Sequence, residues 1–207
     1  MTLDEALAET PIVAIIRGVT PEEAVATAEA LYEAGVRVVE VPMNSPQPLG
    51  SISRLAKAVG GKMVCGAGTV LRAAAVERAH GAGARFVVAP NTDEAVIQRA
   101  IGLRLTAMPG FGTATEAFRA LHAGARHLKL FPASTYGAGH VKALGAVLPP
   151  DTMVLAVGGV GAGAMAEWWA AGVRGFGLGS ELYKAGQSPE ETHTKAKAAV
   201  AAARALG

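Results

Sequence analysis

The octapeptide HLKLFPAS (127–134) sets one lysine, Lys129, among Leu128, Leu130 and Phe131, and Pro132 ends the run. An ammonium group there has two ordinary explanations: a strand-end lysine reaching water, or a lysine on an exposed sheet edge. The chemical alternative is an amine held in an apolar site, where burial and a neighbouring cation disfavour its charged form. A neutral amine is a nucleophile toward ketones and forms a Schiff base. Three further polar residues interrupt similar runs: Arg17 in IVAIIRG (12–18), Glu40 in VRVVEVPM (36–43) and Thr69 in MVCGAGTV (63–70). Arg17 could be the cation that depresses the lysine. Glu40 could move protons directly or through one water, or could be only a salt-bridge partner. Two glycine-bearing pairs, Gly158-Gly159 and Gly179-Ser180, lead toward helix starts. Bare backbone N–H groups at such places suit a phosphate.

These residues need a scaffold that points them at one place. Eight short apolar runs recur along the chain, the four already named with 85–90, 105–110, 153–159 and 175–180. Seven intervals between them carry amphipathic Ala/Glu/Leu segments, several closing on Ala-Gly (Ala34-Gly35, Ala123-Gly124, Ala171-Gly172). Thr20-Pro21-Glu22-Glu23 supplies a cap, a proline and early acids for the first of them. Runs this apolar, alternating with helices, imply a parallel sheet covered on its outer face. The expectation is one domain over 1–207, a small (β/α)₈ barrel near the lower end of roughly 200 to 400 residues. An open doubly wound sheet is the alternative, but Arg17-Gly18-Val19-Thr20 is not its glycine fingerprint. In a barrel alternate residues point inward and sites gather at the C-terminal strand ends. With Leu128 and Leu130 outward, Lys129 points in; with Val39 and Val41 outward, so does Glu40. Arg17 and Thr69 are expected at the same mouth.

Composition removes other classes of function. The 207 residues are 51% hydrophobic with a formal net charge of +2, and neither half carries a basic block. Nucleic-acid binding is unsupported. No apolar stretch reaches the ~18 residues of a membrane span, and the N-terminus is unlike a secretory leader. The single Cys65 is consistent with a cytoplasmic location and is expected on an inward face as an inert core thiol. The five histidines show no ligand spacing, so no metal and no cofactor are expected. Trp168-Trp169 is expected to pack or to form an oligomer contact, Glu116 and Arg119 to pair as i,i+3 neighbours on a helix, and 192–207 to be a terminal helix.

The motifs AIIRGVTPEEA, VVEVPMNSPQPLGSI, GAGTVL, VAPNTDE, MPGFGTATEAF, LKLFPAS, KALGAVLPP, LAVGGV and GLGSELYKAGQS span nearly the whole chain. Together they resemble the 2-keto-3-deoxy-6-phosphogluconate/galactonate aldolases, class I enzymes on a small (β/α)₈ fold. The resemblance implies Lys129 as Schiff-base lysine and Glu40 as acid/base. It implies Arg17, Thr69, Pro90 and Phe131 around a pyruvate moiety, with Arg17 and Thr69 at its carboxylate. Gly158, Gly159, Gly179 and Ser180 would hold the phosphate. It also implies a metal-free homotrimer acting on a phosphorylated keto-deoxy sugar acid and releasing pyruvate and glyceraldehyde 3-phosphate. Asn44, where the gluconate branch often has arginine, and Val157, where that branch commonly has threonine, resemble the galactonate branch. Val157 would then help to choose between the epimers. A gluconate-preferring enzyme, an isomerase or epimerase on the same barrel, and a non-catalytic phosphosugar-binding barrel are the rival expectations.

Overall fold

The computed structural model describes residues 1–206, and its strands form one parallel sheet that closes on itself. The strands are β1 (Ile12–Ile15), β2 (Val38–Pro42), β3 (Val64–Gly68), β4 (Phe86–Val88), β5 (Thr106–Met108), β6 (Gly110–Phe111), β7 (His127–Leu130), β8 (Met153–Val157) and β9 (Gly175–Leu178). Their order is β5-β4-β3-β2-β1-β9-β8-β7-β6. The two ends of that order are consecutive in sequence, joined only by Pro109. Eight runs therefore become nine strands, because a proline without an N–H interrupts the fifth run. The seam still holds: Lys129 N–H donates to the Pro109 carbonyl at 2.9 Å, and Ala89 N–H to Met108 at 3.2 Å. The (β/α)₈ expectation stands, with its fifth strand in two pieces.

Among the described residues ten α-helices accompany the strands: α1 (Leu3–Glu9), α2 (Ala24–Glu33), α3 (Pro48–Ala58), α4 (Ala73–Gly81), α5 (Glu94–Gly102), α6 (Ala114–His122), α7 (Ala133–Tyr136), α8 (Ala138–Gly145), α9 (Met165–Ala170) and α10 (Pro189–Arg204). The terminal helix α10 begins three residues before the expected Thr192, because Ser188 caps it and Pro189 follows. Ahead of α2, Thr20 and Glu23 bond reciprocally through side chain and backbone. Glu116 departs from its expected pairing with Arg119. It closes a capping box with Thr113 at the start of α6, while Arg119 reaches Glu94 on α5 at 3.1 Å. Trp168 is buried and Trp169 lies under the Arg174 guanidinium, so both tryptophans pack.

Two cores result. The outer one packs residues such as Ile12, Val39, Leu128, Leu130 and Phe176 against helices. The inner one contains Val13, Ile15, Val38, Val64, Phe86, Val88, Met108, Leu155 and Val157, with Leu3, Ala6 and Leu7 of α1. Helix α1 thus seals the N-terminal end of the barrel, a role that its sequence did not announce. The narrow interior is filled by setting glycine beside bulk. A Cβ on Gly66 would enter the Phe86 ring, and one on Gly177 would meet Val157 at 2.7 Å. Cys65 corrects an expectation: it belongs to the outer core, because Val64, Gly66 and Gly68 face inward. Burial drives its thiol up to about 12, which leaves it inert.

Candidate active site

Lys129 and Glu40 stand on β7 and β2, and both are buried: 6% and 2% exposed. Their inward direction follows from the outward leucines and valines that flank them, which the helices cover. Glu40 occupies the space that a side chain on Gly68 would take. A Cβ there would coincide with Glu40 Oε2, so the glycine is a cradle for the carboxylate. Glu40 Oε2 has no hydrogen-bond partner among the described residues.

The electrostatics agree. Burial raises the Glu40 carboxyl to about 7, and Lys129 and Arg17 only partly offset it. Burial likewise lowers the Lys129 ammonium, Glu40 opposes that shift and Arg17 adds to it. The net direction for the lysine is down, which favours the neutral nucleophile. Its Nζ lies 4.5 Å from the centroid of the Phe131 ring, which covers the amine with an apolar wall.

Above them opens a cavity of about 400 Å³, lined among others by Arg17, Lys129, Phe131, Val157, Gly158, Gly159, Gly179 and Ser180. Gly158 and Gly159 have φ of +93° and +75°, a region open to glycine, so their N–H groups can turn toward a ligand. Gly159 also lies against Ser134, where a Cβ would meet the hydroxyl at 2.7 Å. Thr69 reaches the mouth for a different reason from the expected one. The strand ends at Gly68, Thr69 adopts φ +54°, and Arg17 Nη2 lies 3.4 Å from its hydroxyl oxygen. Pro90, like Glu40 and Thr69, lies outside the cavity lining; its backbone packs against Gly110 at the seam. Glu181, Tyr183, Lys184 and Ala185 also line the cavity and were missed. They follow the eighth apolar run in a segment with no periodic signal. Among the described residues no group of three or more His, Cys, Asp or Glu side chains is placed to hold a metal ion.

A buried amine, a carboxyl raised to about 7 and a rim of glycines around one cavity are groups that carbon–carbon bond chemistry on a phosphorylated keto acid could use. The family model of KDPG and KHG aldolase matches residues 3–197. The chain belongs to the KDPG and KHG aldolase family. One relative, the 2-dehydro-3-deoxy-6-phosphogalactonate aldolase of Escherichia coli strain K12, is 50% identical over 194 residues, 94% of this chain and 95% of the relative. The 2-dehydro-3-deoxy-phosphogluconate aldolase of Treponema pallidum is 32% identical over 81% of this chain and 80% of its own. A solved structure described as native KDPGal superposes with a TM-score of 0.94 at 49% identity, covering 96% of each chain. As a member of this aldolase family the protein is a carbon–carbon lyase, and no described helix is long and apolar enough to cross a membrane.

Proposed function

We propose that this aldolase cleaves 2-dehydro-3-deoxy-6-phosphogalactonate to pyruvate and D-glyceraldehyde 3-phosphate through a Schiff base on Lys129. The observation that carries the reading is the buried Lys129 amine beside Glu40, whose carboxyl is raised to about 7. The higher identity to the galactonate-named relative supports the choice of epimer. Lys129 attacks the C2 ketone, and the carbinolamine takes up a proton from solvent and loses water to give a protonated imine. As the C3–C4 bond breaks, its electrons pass into the imine as an enamine, and Glu40 accepts the C4 hydroxyl proton as the aldehyde forms. Protonation at C3 and addition of water then release pyruvate and free the amine. Arg17 and Thr69 hold the C1 carboxylate, Phe131 covers the keto-acid carbons, and Pro90 supports that side from the seam. Gly158, Gly159, Gly179 and Ser180 take the phosphate through backbone N–H groups, and no cofactor takes part. The proposed working form is a cytoplasmic homotrimer, consistent with the family resemblance and testable by light scattering in solution.

Borohydride reduction with pyruvate, followed by peptide mapping, tests the reading. The adduct is expected on Lys129, and Lys129→Ala should lose both adduct and cleavage while still showing a cooperative melting transition. An adduct on Lys142 or Lys184 instead would refute it.

A further inference from the structure

The loop after β2 grips the residues after β1 at two points. Gly18 N–H donates to Ser45 Oγ at 3.0 Å, and Arg17 Nη1 donates to Asn44 Oδ1. Ser45 is itself fixed: it is buried, and its N–H donates to the Pro42 carbonyl at 2.9 Å. The second guanidinium nitrogen faces Thr69 Oγ1 at 3.4 Å, where a β-branched residue is held at φ +54°. That conformation is uncommon for such a residue, so the surrounding loop defines it. On the other side, Gly18 lies against Ala185, where a Cβ would meet the alanine Cβ at 2.9 Å. Arg17 is therefore held at a junction of loops following β1, β2, β3 and β9, and it lines the cavity over Lys129.

A guanidinium has five donors in one plane. An amide oxygen on one nitrogen and a hydroxyl on the other fix that plane and leave further N–H groups for a planar anion. Asn44 does this without a charge. A carboxylate in its place would hold the arginine and also weaken its attraction for a second anion. We propose that Asn44 is a positioning residue that sets the Arg17 guanidinium for the carboxylate of the keto acid. The proposal rests on the reading of Arg17 as the carboxylate-binding group.

Condensation of pyruvate with glyceraldehyde 3-phosphate separates the two ideas, because each substrate has its own KM. Asn44 is exposed, so Asn44→Ala should fold with an unchanged melting temperature. It is expected to raise the pyruvate KM about tenfold, as for a lost hydrogen bond to a charged group, with kcat and the aldehyde KM within about twofold. In an Arg17→Ala background the same substitution should add nothing, because the group it positions is gone. An unchanged pyruvate KM in Asn44→Ala, with a raised one in Arg17→Ala, would overturn the positioning role and leave the Arg17 reading standing. An unchanged pyruvate KM in Arg17→Ala would overturn both. Equal rises in both KM values for Asn44→Ala would mark a general loosening of the mouth and also refute the proposal.

Discussion

His127 and Lys129 stand two residues apart on the same face of β7, yet one end of the barrel is closed and the other is open. At the floor, His127 Nε2 meets Asp4 Oδ1 at 2.6 Å, and the Leu3, Ala6 and Leu7 side chains of α1 fill the space below the strands. At the mouth, Glu40 Oε2 has no partner among the described residues, and Lys129 is held against an aromatic ring. Both ends carry buried polar groups. Those at the floor are satisfied, while those at the mouth keep an unmet demand for a proton or a bond. Ser51 Oγ and Thr152 Oγ1 are also buried without a partner, so an open oxygen does not by itself mark chemistry; at the mouth it goes with a buried amine under a cavity. Large effects on turnover are therefore expected at the mouth, and effects on stability alone at the floor.

The sharpest test after removal of Lys129 is Glu40→Gln. Turnover should fall at least ~100-fold, the low end for a positioned acid/base group. The melting temperature should behave in the opposite way. Folding raises the Glu40 value from 4.5 to about 7, so the folded protein takes up a proton between those values. Stability then falls as pH rises through that window. Glu40→Gln escapes the penalty: at about pH 8 it should melt a few degrees above wild type, and near about pH 5 the two should converge. In the wild type, kcat/KM for cleavage should decline as pH drops below about 7, because the proton acceptor is then occupied. Near-normal turnover in Glu40→Gln would reduce the carboxyl to a structural partner.

Gly68→Ala attacks the same group from behind. Its methyl would occupy the position of Glu40 Oε2, and the carboxylate would have to move. A loss of turnover on the order of 10- to 100-fold is expected, about the cost of misplacing a reacting group by an ångström. Wild-type rates in this variant would show that the cradle has no role in placing Glu40.

Val157→Thr is a smaller and more selective change. Val157 lines the cavity just before Gly158, and threonine keeps its shape while adding a hydroxyl. A C4 hydroxyl left without its partner in the partly desolvated cavity costs roughly 1 to 3 kcal/mol. The galactonate-to-gluconate ratio of kcat/KM should therefore shift about 5- to 150-fold toward gluconate. A wild-type preference for the gluconate epimer would overturn the epimer assignment and leave the aldolase chemistry standing. The floor gives the smallest effect. Asp4→Ala removes the partner of His127 and should cost about 1 kcal/mol of stability with kcat unchanged within about twofold. A large fall in kcat would show that the two ends are coupled.

Much of this site was legible because apolar neighbours declare parity. Leu128 and Leu130 had to face the helices, so Lys129 had to face the axis; Val39 and Val41 did the same for Glu40. Parity failed where the run was nearly all small residues. In Val64-Cys65-Gly66-Ala67-Gly68 either face could have been the inner one, and Cys65 was expected on the wrong side. Thr69 still arrived at the mouth, through a left-handed backbone turn that no residue type announces. The N-terminal helix was not among the segments expected from the sequence, and its place under the barrel depends on an opening that exists only once the sheet has closed.

The sequence by itself determined the alternation of strands and helices, the barrel, and the inward direction of Lys129 and Glu40, because side-chain periodicity is a local property of the backbone. Only the tertiary structure decided which glycine makes room for which carboxylate, which loops hold Arg17, and how far burial shifts Lys129 and Glu40. Those depend on distances between residues that are remote in the chain, and on a dielectric environment that forms only when eight apolar runs close around it.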